Sequence, residues 1–236
     1  MSTKAKIKAA LKERSNAKKA SGNLRFFKTG KGEYGEGDRF FGVSVPDQRA
    51  VARQFRDVPL TEIGNLLDDK IHECRLTALL ILVERIRRAD DNEKCEIVDL
   101  YLEKIDRVNN WDLVDSSADK ILGAYLIDHD RAVLDELVTS GHLWRQRIAM
   151  IATYHFIKHN DFKDALRIAR NLRDHEHDLI HKAVGWMLRE IGNRNKPTLE
   201  KFLKQHYQRM PRTMLRYAIE RFPERQRQRY LQGKIK

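Results

Sequence analysis

The chain has 236 residues and a formal net charge of +12, with 46 Lys and Arg against 34 Asp and Glu and two cysteines, Cys74 and Cys95. A length of this order supports one buried core or an extended repeat array, and two cysteines imply no disulfide framework. Apolar runs such as Leu79-Leu80-Ile81-Leu82-Val83 are far too short to cross a bilayer, and no apolar signal region follows the Lys-rich start, so a cytoplasmic protein is expected.

The charge is unevenly spread. Residues 1–31 carry +9 and residues 189–236 carry +10, leaving −7 for the stretch between them. Two basic ends around an acidic middle point to a polyanion, nucleic acid above all, gripped by the termini.

In chain order, Thr3 to Ala20 reads as a basic helix bearing Lys4, Lys8, Lys12 and Lys19, with Ile7 and Leu11 as its apolar contacts. The Gly-rich segment Arg25 to Gly42 follows. Its formal G-x-G-x-x-G at Gly30, Gly32 and Gly35 has no preceding strand and no βαβ surroundings, and no Gly-Lys-Ser/Thr is present to make a Walker loop. Glycines interleaved with Phe26, Lys28 and Lys31 predict a loop whose backbone can approach a phosphate chain closely. From Pro46 onward the pattern is helical, with breaks near Pro59, Ala89-Asp90, Asn109, Asp128-His129, Gly141, Asn160-Asp161, Asp174-His175, Asn195-Lys196-Pro197 and Met210-Pro211. No strand is expected.

The stretch Asn109 to Gly123 predicts a helix capped by Asn109 or Asn110, with acidic residues in its first turns and Gly123 ending or bending it. Trp111 and Asp115 lie four residues apart and therefore share a face, continued by Ala118 and Leu122. Asp115 thus sits on a stripe that is otherwise apolar or aromatic. Two uses follow: a carboxylate satisfied by a nearby Arg, or an anion beside an aromatic wall that holds a cation by charge and ring quadrupole together.

Arg75, Trp111, Arg147, Lys182 and Arg216 recur at intervals of about 35 residues, each near the start of an apolar helix, a period that marks an α-solenoid of divergent helical repeats. The expected fold is all-α, a superhelix whose equivalent positions line one concave basic groove. A single domain is expected over residues 1–236, with the basic helix and Gly-rich loop at 1–45 and the repeats at 46–236. Such a groove fits a duplex, with one carboxylate and the indoles of Trp111 and Trp186 within it.

His177 and His181 have helical i, i+4 spacing and with His175 could suggest a metal-dependent hydrolase, but no His-Glu-x-x-His motif accompanies them. Cys74 and Cys95 read as helix-packing thiols and Trp144 as core.

The pieces Phe26-Phe27-Lys28-Thr29-Gly30 through Gly42-Val43, Trp111-Asp112-Leu113-Val114-Asp115, Leu143-Trp144-Arg145-Gln146-Arg147 and Lys182-Ala183-Val184-Gly185-Trp186-Met187-Leu188-Arg189-Glu190 run over most of the chain in order. With them the sequence resembles the DNA alkylation repair glycosylases of the AlkD type, built from HEAT-like repeats. The resemblance implies excision of positively charged N3- and N7-alkylated purines from duplex DNA without base flipping, leaving an abasic site. It implies Asp115 as the catalytic carboxylate, Trp111 and Trp186 around the deoxyribose, and Arg147 on the DNA backbone. Lys182, Arg75, Arg216, Phe26, Lys28 and Lys31 complete the expected DNA-binding set. Phe26 departs from the family pattern by standing where a tyrosine is usual, with Tyr34 close in sequence. The expectation is a monofunctional enzyme and a monomer, with no metal, cofactor or obligate protein partner. The alternative is a non-catalytic helical-repeat protein that binds DNA or another partner through the same groove.

Overall fold

Short polar side chains start many of the helices. Ser2, Asn16, Ser44, Asp90 and Asn195 each accept a hydrogen bond from a backbone N–H of the first turn that follows, satisfying a donor the helix itself leaves open. The computed structural model describes residues 2–235, and among these the secondary structure is helical, with one isolated parallel bridge between Arg39 and Ile71. Internal contacts group into two compact units, Met1–Tyr125 and Leu126–Lys236.

The first unit runs α1 (Thr3–Lys12), α2 (Ala17–Phe26), α3 (Val45–Gln54), α4 (Leu60–Leu67), α5 (His72–Ile86), α6 (Asp91–Glu103), a 3-10 turn at Ile105–Arg107 and α7 (Trp111–Ser117). A π-helical turn over Asp119–Gly123 then leads into the short α8 (Ala124–Leu126), where this unit ends. The apolar run foreseen in α5 is its central rod, with α3, α4 and α7 packed around it. Burial of aliphatic side chains such as Leu76, Leu79 and Ile81 contributes about 1.5–3 kcal/mol each.

The second unit runs α9 (Ala132–Thr139), α10 (Leu143–Lys158), α11 (Lys163–Asn171), α12 (Asp178–Arg194), α13 (Lys196–His206), α14 (Arg212–Ala218) and α15 (Glu224–Leu231). Here α12 packs against both α10 and α14. That second contact needs Gly185, because a Cβ there would come within 2.6 Å of the Met214 carbonyl oxygen and 2.5 Å of the Tyr217 Cβ. Along the chain helices begin at residues 72, 111, 143, 178 and 212, close to the expected period. The all-α repeat class is as read from the sequence.

Several local expectations change. The basic N-terminal helix is two helices, because Asn16 caps a new start after the turn at residues 13–16. Lys4 and Lys8 of the first helix are not offered outward: their ammonium groups lie 3.4 and 2.9 Å from Asp69. The helix carrying Trp111 does not end at Gly123, whose N–H bonds five residues back to the Ala118 carbonyl at 2.9 Å, widening the turn. Cys74 is buried as foreseen, whereas Cys95 lies exposed on α6 with its Sγ 3.8 Å from Asp99 Oδ2.

The Gly-rich segment is a loop, and its end is held by Glu73. The buried carboxylate of Glu73 accepts from the backbone N–H groups of Phe41, Gly42 and Val43 at 3.0, 2.7 and 3.3 Å. Gly42 has φ of +79°, and a Cβ on it would meet the Asn16 carbonyl oxygen at 2.1 Å. Gly42→Ala therefore combines a left-handed backbone with a collision against backbone, and is expected to cost about 2 kcal/mol or more. Urea unfolding of wild type and variant, followed by circular dichroism, reads this directly; equal midpoints would contradict it.

Candidate active site

Asn110 caps α7 with its side-chain oxygen 2.9 Å from the Trp111 backbone N–H, so Trp111 opens the helix and Asp115 follows one turn later on the same face. Both are half-buried, while Leu113, Val114, Ala118 and Leu122 turn inward and fix the helix by its apolar side. The shared helix foreseen from spacing is present, with Trp111 and Asp115 one turn apart on it.

The indole is one plate in a cluster of rings. Phe27 stacks on Trp111 with centroids 5.5 Å apart and on Phe40 at 5.2 Å, and Phe26 meets Trp111 edge-on at 5.6 Å. Phe26 itself is 62% exposed and has no hydroxyl, so it presents a purely apolar ring at the surface.

Behind the rings lies a charged clasp that sequence reading missed. His72, 2% exposed, has Nδ1 2.9 Å from Asp38 Oδ2 and Nε2 2.7 Å from Asp112 Oδ2. Arg75 Nη2 donates to the other Asp38 oxygen at 2.6 Å, and its Nη1 to the Asp69 carbonyl at 3.1 Å. Asp38 belongs to the Gly-rich loop and Asp112 to the first turn of α7, so one imidazole ties the loop to the helix that carries Asp115. The signal was present as His72-Glu73-x-Arg75 opening α5, but the partners lie 34 and 40 residues away, and no local pattern connects them.

Burial alone would lower the His72 pKa. The charge and hydrogen bond of Asp112, with the hydrogen bond of Asp38, outweigh burial and raise it to about 9. Burial likewise pushes the Asp38 carboxyl up, but the His72 hydrogen bond and the Arg75 charge hold it below the usual carboxylate range.

Arg75 is therefore a correction to the expected DNA-binding set. Its guanidinium is 2% exposed and bound to Asp38 and a backbone carbonyl, so it has no face for a phosphate. The repeat register that singled it out is real, but position in a repeat does not decide which way a long side chain is drawn. Lys28 and Lys31 are exposed on the loop as foreseen; Lys28 has φ of +54°, a conformation a lysine adopts only under constraint.

In the second unit Trp186 is half-buried. Its Nε1 donates to Glu190 Oε1 at 3.0 Å, and its ring lies 5.8 Å from that of Tyr154. Lys182 pairs with Asp178 at 2.7 Å, and Arg216 is exposed. Arg147 is only 4% exposed and donates through Nη1 to the Leu179 carbonyl, which makes it more internal than the register implied. Trp144 is buried, as expected of a core residue. The three histidines serve the start of α12: His177 Nδ1 accepts from Leu179 N–H, His175 Nδ1 accepts from His177 N–H, and His181 contacts the His175 carbonyl.

A fold of this kind, helical hairpins repeated without a sheet, is shared with a solved structure described as a "Predicted DNA alkylation repair enzyme" from Enterococcus faecalis. The two are 18% identical with a TM-score of 0.70, over 89% of this chain and 98% of that one, a likeness that establishes the fold. The family model for the DNA alkylation repair enzymes matches residues 7–222, and the chain belongs to that family. No curated protein matches it. Among the described residues no helix is long and apolar enough to cross a membrane.

The clasp has a measurable signature. A group whose pKa is raised on folding stabilises the native state fully below its unfolded value of 6.5 and loses that contribution as pH rises through about 9. The His72 ring nitrogens should titrate near 9 by NMR, and stability should fall between those limits by an amount on the order of 3 kcal/mol. Titration of His72 near 6.5 would remove the charge from the clasp.

Proposed function

We propose that the chain is a monofunctional DNA glycosylase that hydrolyses the N-glycosyl bond of N3- and N7-alkylated purines in duplex DNA. The observation that carries this reading is the Trp111–Asp115 pair on α7, braced by Phe26 and Phe27 and anchored through Asp112 to His72. Such an arrangement suits a cation that forms in place. An alkylated purine already bears positive charge, so when the C1′–N bond breaks its electron pair passes to the base, which leaves neutral. No general acid is required. The deoxyribose is left as an oxocarbenium-like cation, to which an ionised Asp115 and the face of Trp111 are complementary. Water then adds at C1′ and loses a proton to the Asp115 carboxylate or to solvent, leaving an abasic site.

On this reading the base stays stacked until the bond breaks, and Trp186 of the second unit is a further aromatic surface for the nucleic acid. Phe26, Lys28 and Lys31 of the first unit meet the nucleic acid, as do Lys182 and Arg216 of the second, whereas Arg147, 4% exposed and bound to the Leu179 carbonyl, is drawn inward like Arg75. The nearest lysine to the motif, Lys120, directs its ammonium to Asp119 Oδ1 at 2.8 Å and to the Asp115 backbone carbonyl at 3.5 Å. An amine held in this way favours simple hydrolysis over Schiff-base chemistry. Double-stranded DNA is the partner, and no metal or cofactor enters the mechanism.

Asp115→Asn should lower release of base from N7-methylguanine-containing duplex by on the order of 10²-fold or more while leaving DNA affinity within about twofold. Parallel loss of both would point to a binding protein. Arg216→Ala and Lys182→Ala should each reduce the slope of log affinity against log salt by about one, as removal of one phosphate contact requires. Arg75→Ala should behave differently, destabilising the fold by about 2 kcal/mol or more because it strips one of the two charged partners from the buried Asp38 carboxylate.

A further inference from the structure

His72 makes two contacts of the same kind. Asp38 Oδ2 lies 2.9 Å from its Nδ1 and Asp112 Oδ2 lies 2.7 Å from its Nε2, and an ionised carboxylate only accepts. Both contacts are therefore hydrogen bonds only while both ring nitrogens carry a proton. A neutral imidazole has a single N–H, so in either tautomer one of the two pairs sets a ring lone pair against a carboxylate oxygen at the same short distance.

The group held in this way stands directly behind the candidate active site. Asp112 lies in the first turn of α7, next to Trp111 and on the helix that carries Asp115. The faces of the imidazole are packed as well, against Phe27 at 4.8 Å and Phe40 at 5.0 Å, and Phe27 continues the stack to Trp111 at 5.5 Å. The ring thus meets α7 twice, by an edge through Asp112 and by a face through Phe27. The charges that act on it are Asp112 from α7, Asp38 from the loop and Arg75 from its own helix. Lys19 of α2, Glu73 of α5 and the neutral Gln48 of α3 belong to the cavity beside it, and Glu73 is committed to the backbone N–H groups of Phe41, Gly42 and Val43.

We propose that His72 is a positioning residue for base excision: with both nitrogens protonated it holds α7 against the aromatic stack in one arrangement of Trp111 and Asp115, and on losing a proton it releases that arrangement. The inference rests on the glycosylase reading. His72 acts through Asp112 and Phe27 and not on the sugar. Excision by bound enzyme should then slow as pH rises through about 9, where the ring gives up its second proton.

Asp38→Asn separates this role from a purely structural one. The Arg75 guanidinium only donates, so the new amide turns its oxygen to Arg75 and its N–H to His72. A neutral ring then accepts at Nδ1 and donates from Nε2 to Asp112, and both links survive without the second proton. Asp112→Asn achieves the same from the other side, and serves if the first variant fails to fold. Single-turnover release of N7-methylguanine from duplex is measured with saturating enzyme from about pH 7 to about pH 10, and the variant-to-wild-type ratio at each pH cancels any titration of the substrate. The ratio should rise about tenfold as pH passes through about 9, with circular dichroism of both proteins unchanged. A flat ratio for a folded variant, with release by the wild type, overturns the positioning role and leaves the glycosylase reading standing. A wild-type rate that falls only in step with its circular dichroism also overturns it, since the clasp then serves the fold alone. No release by the wild type at any pH defeats the glycosylase reading, and this proposal with it.

Discussion

Two carboxylates from separate segments, Asp38 on the Gly-rich loop and Asp112 at the head of α7, are drawn out of water against the same imidazole. A buried charge of this kind is tolerable only when a partner of opposite sign lies within hydrogen-bonding distance, and His72 provides one on each ring nitrogen. Arg75 completes the balance on the far side of Asp38. Much of the candidate site depends on that constraint. It brings the loop to the helix, stacks Phe27 and Phe40 around the imidazole, and seats Phe27 against Trp111. It also commits one oxygen of Asp112, and the other is left buried without a partner.

The same logic sorts the cations. A net charge of +12 suggests a uniformly adhesive surface, yet several positive groups are engaged within the protein. Arg75 is bound to Asp38, Lys4 and Lys8 converge on Asp69, and Arg131 joins Asp161 to Asp164 in the second unit. Among the expected contacts, Lys28, Lys31 and Arg216 remain at the surface. The attraction for a polyanion therefore belongs to a smaller set than composition suggests.

Packing in the second unit is governed by a missing side chain. Gly185 lets α14 approach α12 closely, and the next residue, Trp186, is then held by Glu190 one turn along and by the ring of Tyr154. Of the segment Lys182 to Glu190, the glycine serves packing, and Glu190 fixes the indole through its carboxylate. The repeat supplies the frame, and short local contacts orient what it carries.

Helix existence, most helix breaks, the repeat period and the shared face of Trp111 and Asp115 were legible in the sequence, because each follows from spacing along a 3.6-residue helix and from the local chemistry of caps and glycines, whereas the breaks at residues 13–16, 68–71 and 219–223 were not read. Ile7 and Leu11 were buried as read, and Trp144 belonged to the core. The clasp was not legible, since His72, Asp38 and Asp112 are joined across 34 and 40 residues by charge compensation that leaves no periodic trace. Nor was the fate of Arg75, which shares its register with Lys182 and Arg216 but is drawn inward by an aspartate of the loop. What the sequence by itself determined was which faces exist, through periodicities that act over a few residues. Which of its charges turn inward was decided only by the tertiary structure, because the cost of burying a charge depends on partners that folding alone brings within reach.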